Sequence, residues 1–264
     1  MMRRVSTGNL RTTAAAVLAV SVAAVSGMLV RDAGAQRRGA PQIAENVPYD
    51  GRLTWARIRY TMPDFSGGFR GRDLPWAHDY PRGERHFTKI ISELSTTRVR
   101  TDASNILALD DPKLGHYPIA YMAEAGFWRP SEQEVLGLRQ YLTKGGIIIF
   151  DDFAGEHWMN FENQMRRVLP STRAIPLTLA HPVFDSFYQI KSLEYYHPYY
   201  RGYKSEFYGY FENNDPSKRL LAIVNYNNDL SEYWEFSDEG MFPLDLSNEA
   251  YKLGVNYVIY ALTR

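Results

Sequence analysis

Cysteine is absent from the 264-residue chain. That removes disulfides, thiolate metal ligands, lipid attachment through a modified cysteine and every cysteine nucleophile. The sequence also lacks an HExxH pair, an EF-hand loop and a G-x-S-x-G elbow, so no standard zinc, calcium or serine-hydrolase motif marks a reaction. The glycine-rich segment Pro63-Asp64-Phe65-Ser66-Gly67-Gly68-Phe69-Arg70-Gly71 carries neither phosphate-loop nor dinucleotide spacing and reads as a plain loop. Long apolar runs are scarce as well. Ala14 to Val30 covers 17 residues, is rich in alanine and contains Ser21, Ser26 and Gly27, which is short for a spanning helix of ~20 strongly apolar residues.

That stretch follows Arg3, Arg4 and Arg11 and precedes Ala33-Gly34-Ala35, the arrangement of a cleaved export signal. The expected organisation is a signal over residues 1–35, a polar linker over 36–51 and one domain over 52–264. The alternative for 14–30 is a retained anchor, the only route to membrane contact. Removing residues 1–35 takes four arginines and one aspartate from counts of 30 basic and 30 acidic residues, leaving 26 and 29. No basic run remains to grip phosphates, so nucleic acid is not an expected partner. The expected location is periplasmic or secreted.

The most informative segment is Gly145-Gly146-Ile147-Ile148-Ile149-Phe150-Asp151-Asp152-Phe153. Four bulky apolar residues after a glycine pair predict a strand buried on both faces. Ser131-Glu132-Gln133-Glu134 is a capping box, and Val135, Leu138 and Leu142 form a helical stripe that ends at Lys144-Gly145. With a strand over 118–124, helix 131–143 and strand 146–152 complete a βαβ unit, which requires parallel strands. Further strands are expected over 53–60, 98–101, 172–179 and 220–226. Helices are expected over the Phe87, Ile90, Ile91, Leu94 stripe, over 158–169, and from Ser247 onward.

Ligands bind beyond the carboxyl ends of parallel strands, which makes Glu124, Asp151 and Asp152 the candidate pocket, joined by His78, His181 and Arg85. Converging carboxylates would raise one another's pKa or take a cation such as Mg²⁺, Mn²⁺, Ca²⁺ or Zn²⁺. The competing account has one aspartate bonding loop amides or capping the next helix. Asp79 reads as the cap of the helix that begins near Pro81, because adjacent residues of an extended segment point to opposite sides. The Tyr-rich run Tyr195-Tyr196-His197-Pro198-Tyr199-Tyr200-Arg201-Gly202-Tyr203 fits either sheet packing or a binding surface.

Taken together, Trp76-Ala77-His78-Asp79-Tyr80-Pro81-Arg82, Tyr117-Pro118, Leu138-Arg139-Gln140-Tyr141-Leu142, Asp151-Asp152-Phe153, His181-Pro182-Val183-Phe184 and Gly254-Val255-Asn256 resemble a bacterial family known as domain of unknown function 4159, over about 52–264. The resemblance implies an α/β, flavodoxin-like three-layer sandwich with a mostly parallel sheet, of the class I glutamine amidotransferase-like kind. It also implies genomic association with MoxR-type ATPases and von Willebrand factor A-like proteins, and no activity. Where amidotransferases place their nucleophilic cysteine, this chain has Glu124-Ala125-Gly126, so that hydrolysis is chemically unavailable. The leading expectation is a non-catalytic binding or scaffolding domain of the cell envelope that contacts an envelope protein or a small ligand, with no cofactor assigned. The alternative is a metal-dependent hydrolase built on Glu124, Asp151, Asp152 and His78.

Overall fold

The computed structural model describes residues 43–62, 74–194, 197–200 and 202–264. The expected export segment, the expected loop over 63–71, Tyr195, Tyr196 and Arg201 therefore lie outside the described residues. Within them, seven strands form one sheet in the order β2-β1-β3-β4-β7-β6-β5. These are β1 (Ala56–Ile58), β2 (Asn105–Leu107), β3 (Ile119–Ala123), β4 (Ile147–Phe153), β5 (Ile175–Pro176), β6 (Glu206–Phe211) and β7 (Leu220–Tyr226). The run from β2 to β7 is parallel, and β6 and β5 extend it antiparallel. The helices are α1 (Arg82–Leu94), α2 (Glu132–Thr143), α3 (His157–Val168), α4 (Leu230–Glu235) and α5 (Leu244–Thr263).

Every residue of β4 is buried, as a central strand covered on both faces must be. Ile148 and Phe150 pack with Leu138 and Leu142 of α2 and Phe161 and Met165 of α3. Ile147 and Ile149 face Phe87 and Ile91 of α1, Trp234 of α4, and Leu253 and Tyr257 of α5. Each such side chain contributes about 1.5–3 kcal/mol by leaving water, so the carboxyl end of β4 is firmly placed. The capping box of α2 forms as expected: Glu134 N donates to Ser131 Oγ at 3.1 Å, and Ser131 N donates to Glu134 Oε2 at 2.8 Å. Trp128 and Trp234 belong to the core.

The second strand lies at Asn105–Leu107 and not at 98–101, where Val99 makes only a single bridge to Leu53. Residues 43–50 do not behave as a free linker. Asn46 and the Asn105 side chain exchange hydrogen bonds with the backbone of Ile106 and Val47 at 2.7–2.8 Å, covering the β2 edge that would otherwise stay open. Of the expected strand 172–179 only Ile175–Pro176 forms β5, and Leu177 N adds one bond to Phe207 O at 2.8 Å. The last helix starts at Leu244, with Ser247 buried in its first turn. No helix among the described residues is long and apolar enough to cross a membrane.

Candidate functional site

The pairing of β4 with β7 slips between Phe150 and Phe153, and Asp152 inside the slip adopts a left-handed backbone with φ 59°. A bulge of this kind re-aims side chains, and here it separates the two carboxylates. Asp151 stays in register opposite Ala123 and turns into the core. There it accepts from Tyr121 Oη at 2.8 Å, Leu230 N at 2.9 Å and Ser231 N at 3.3 Å. Burial pushes its pKa up to about 7 although the Tyr121 bond opposes the shift. Asp151 is thus a structural acceptor at the start of α4, the role weighed as the competing account for one member of the pair.

Asp152 points the other way. Its Oδ2 lies 2.7 Å from His78 Nδ1, and Tyr200 donates its hydroxyl to Oδ1 at 2.5 Å. Glu124 ends β3 in a left-handed conformation with φ 45°, a costly state for a residue with a long side chain. One ligand atom each from His78, Glu124 and Asp152 falls within 4.8 Å of the others. Glu124 and Asp152 line a cleft of about 430 Å³ together with Phe127, Glu156, His157, Tyr200 and Tyr203. The cleft depends on Gly126. A β-carbon there would sit 2.4 Å from His157 Cβ, so only glycine lets the β3 turn meet the start of α3.

His78 is delivered by the short helical turn Pro75–Ala77. Arg57 of β1 fixes this turn by donating from Nη1 to the carbonyl oxygens of Trp76 and His78, both at 2.9 Å, while its Nε pairs with Glu84 of α1. Asp79 does not cap α1. Its left-handed backbone, φ 62°, breaks the extended geometry in which neighbouring side chains diverge. Its carboxylate therefore turns back to lie 3.8 Å from His78 Nδ1 and to accept from Ser231 Oγ. Burial works against charge on His78, but Asp79 and Asp152 outweigh it and hold the imidazole pKa well above its usual value.

Beneath His78 lies a second acidic layer from the chain after β7. Asp229 caps α4 by accepting from Glu232 N at 3.0 Å, while the Glu232 carboxyl reaches Asp79. Burial, then Asp79, pushes Glu232 up to about 10, and burial with Asp152 and Asp79 raises Asp229 well above the carboxylate range. Sequence reading missed this layer, although Asp229-Leu230-Ser231-Glu232 has capping-box spacing directly after a strand and was open to detection.

Two expected pocket residues lie elsewhere. His181 packs against Phe211 and Tyr260. Phe211 pairs with Leu220 at the start of β7, so His181 sits at the opposite end of the sheet, where its Nδ1 accepts from Val183 N. Arg85 is on the exposed side of α1. Arg82 is engaged with Asp238 and Glu239.

No curated protein matches the chain. The family described as Domain of unknown function (DUF4159) matches residues 54–262, and since that span is most of the chain, the protein belongs to this family.

Proposed function

We propose that the protein is a binding domain of the cell envelope whose strand-end cleft takes a small cationic ligand, such as an amino sugar or polyamine. The observation that carries this reading is the composition of the cleft: the carboxylates of Glu124, Asp152 and Glu156 stand among the rings of Phe127, Tyr200 and Tyr203. Carboxylates attract an ammonium group, and aromatic faces add to its binding. Four of the six non-glycine residues with left-handed φ among the described residues, Asp79, Glu124, Asp152 and Asn227, gather at or beside this site. Strained backbone of this kind is retained where a site needs it.

The order β2-β1-β3-β4-β7 of the parallel strands agrees with the flavodoxin-like order. The left-handed Glu124 directly after β3 agrees with an amidotransferase-like turn whose nucleophile position holds a carboxylate. Titration calorimetry with glucosamine and spermidine tests the binding. Asp152→Asn removes one charge-assisted contact of ~1.5–3 kcal/mol and should weaken a bound amine about 10- to 100-fold. If neither amine binds the wild-type protein, the reading fails.

A second reading, a metal-dependent hydrolase, is favoured by the convergence of His78, Glu124 and Asp152 within 4.8 Å. It requires a stoichiometric metal that Asp152→Ala abolishes.

A further inference from the structure

The cleft residues are not the most demanding cluster in the molecule. Below them, His78, Asp79, Asp229 and Glu232 each bring one ligand atom within 4.8 Å of the others. Donors on opposite sides of a transition-metal ion at ~2.0–2.2 Å stand no more than about 4.4 Å apart, so the spread matches a coordination sphere with small adjustments. Three of the four residues are buried: Asp79 is 5 %, Asp229 2 % and Glu232 3 % exposed.

A buried carboxylate usually has its oxygens satisfied. Asp79 Oδ2 is bonded by Ser231, whereas Asp79 Oδ1 accepts from no fixed donor among the described residues. The Asp79 carboxylate instead meets the carboxyl group of Glu232. Two buried carboxyl groups in contact need either a proton or a metal ion between them. Without a metal the cluster holds protons on Asp229 and Glu232, both pushed up by burial, and keeps Asp79 charged beside His78. A divalent ion draws on Asp79, Asp229 and Glu232 together and gives Oδ1 its missing partner. Arg57 is already committed to Glu84.

We infer that His78, Asp79, Asp229 and Glu232 form a buried site for a divalent transition-metal ion beneath the cleft. Three oxygen donors and one imidazole, without sulfur, suit Mn²⁺, Fe²⁺ or Zn²⁺ better than Cu⁺ or a largely hydrated Mg²⁺. His78, whose side chain is 27 % exposed, provides the entry side. A metal here would fix the orientation of Asp79 and His78 and so shape the cleft above it. The site stands independently of whether the cleft binds an amine.

The test uses the full chain, stripped with a chelator, dialysed separately against Mn²⁺ and Zn²⁺, and analysed by elemental mass spectrometry and calorimetry. Two variants preserve the fold. Asn caps a helix as well as Asp, so Asp229→Asn keeps the α4 cap, and Glu232→Gln keeps a donor towards Asp79. The expected result is one metal equivalent in the wild type, retained in Glu124→Gln and weakened at least 100-fold in the Asp229→Asn/Glu232→Gln double variant. Absence of bound Mn²⁺ and Zn²⁺ in the wild type overturns the inference. So does a metal that survives in the double variant and is lost in Glu124→Gln, since that ion would belong to the cleft set.

Discussion

Arg57 Nη1 donates to the carbonyl oxygen of His78 at 2.9 Å, so a fully buried guanidinium on β1 determines where the imidazole of the site stands. The same guanidinium pairs through Nε with Glu84, which ties the loop before α1, the helix itself and β1 to a single group. This link is the physical route from the fold to the site.

The first prediction concerns this pair. Arg57 and Glu84 are 0 % and 2 % exposed. Removing one member of a buried ion pair leaves the other charge uncompensated, a change of about 3–5 kcal/mol. Glu84→Ala should therefore lower the urea midpoint sharply, and it should also disturb His78 through the shared guanidinium. A midpoint within error of the wild type would show that Arg57 is satisfied by the two carbonyl oxygens alone.

The β4 strand, α2 with its capping box, and α3 were legible in sequence because each depends on a short-range pattern. α4 gave no periodic stripe, because six residues are fewer than two helical turns, and only its Asp229-x-x-Glu232 cap spacing marked it. β6 hid in the aromatic segment, where Phe207 and Tyr210 are buried and Tyr208 lies between exposures, so no clean alternation marks it. In the site, Glu124 and Asp152 followed from the rule of parallel strand ends. Asp79 and Ser231 are 152 positions apart, and only the docking of α4 against the start of α1 brings them together. Composition and spacing carry no trace of such a contact.

A glycine pair gives a test of sign. Glycine inside a helix normally costs about 0.5–1 kcal/mol relative to alanine, so a glycine-to-alanine change there usually stabilises. Gly137 of α2 should behave in the opposite way, because a β-carbon there would lie 2.1 Å from the backbone carbonyl oxygen of Leu109. Backbone cannot swing aside as a side chain can, and overpacking costs about 1–3 kcal/mol. Gly115, with nothing within 4 Å of its added carbon, should accept alanine without loss. Thermal melts of the two variants should differ in sign or in size; equal melts would mean that α2 moves freely away from Leu109.

His197 provides a pH signature. It is 2 % exposed and ringed by Tyr199, Tyr200, Tyr233 and Phe242. Burial lowers its pKa from 6.5 to about 4, although Asp152 and Asp79 pull upward. Between these values the unfolded chain binds a proton that the folded chain does not. Stability therefore rises with pH through the window and is lost as pH falls from about 6.5 towards 4, by up to about 3 kcal/mol. His197→Gln removes this dependence, so the stability difference between wild type and variant should shift in favour of the variant as pH drops. Urea denaturation at pH 7.5 and pH 5 measures it, and a pH-independent difference would show that His197 is protonated in the folded protein.

The adjacent aspartates supply the sharpest contrast. Asp151 accepts two backbone amides at the start of α4 and the hydroxyl of Tyr121. Asp151→Ala strands the amides of Leu230 and Ser231 in a dry interior, while Tyr121 Oη keeps Ser231 Oγ at 2.7 Å; each unsatisfied group costs about 1–3 kcal/mol. The variant should be destabilised by about 3–5 kcal/mol, with α4 the first element to lose amide protection in hydrogen exchange. Asp152 is bonded at its two oxygens by His78 and Tyr200 on the cleft side. Asp152→Asn preserves shape and one of the two acceptor oxygens, so its loss of stability should stay below that of Asp151→Ala while ligand binding falls. One variant thus acts on folding and its neighbour on binding. Were the two to change stability equally, the β4 bulge would not be dividing the carboxylates between core and cleft, and the cleft would lose its claim to be the site.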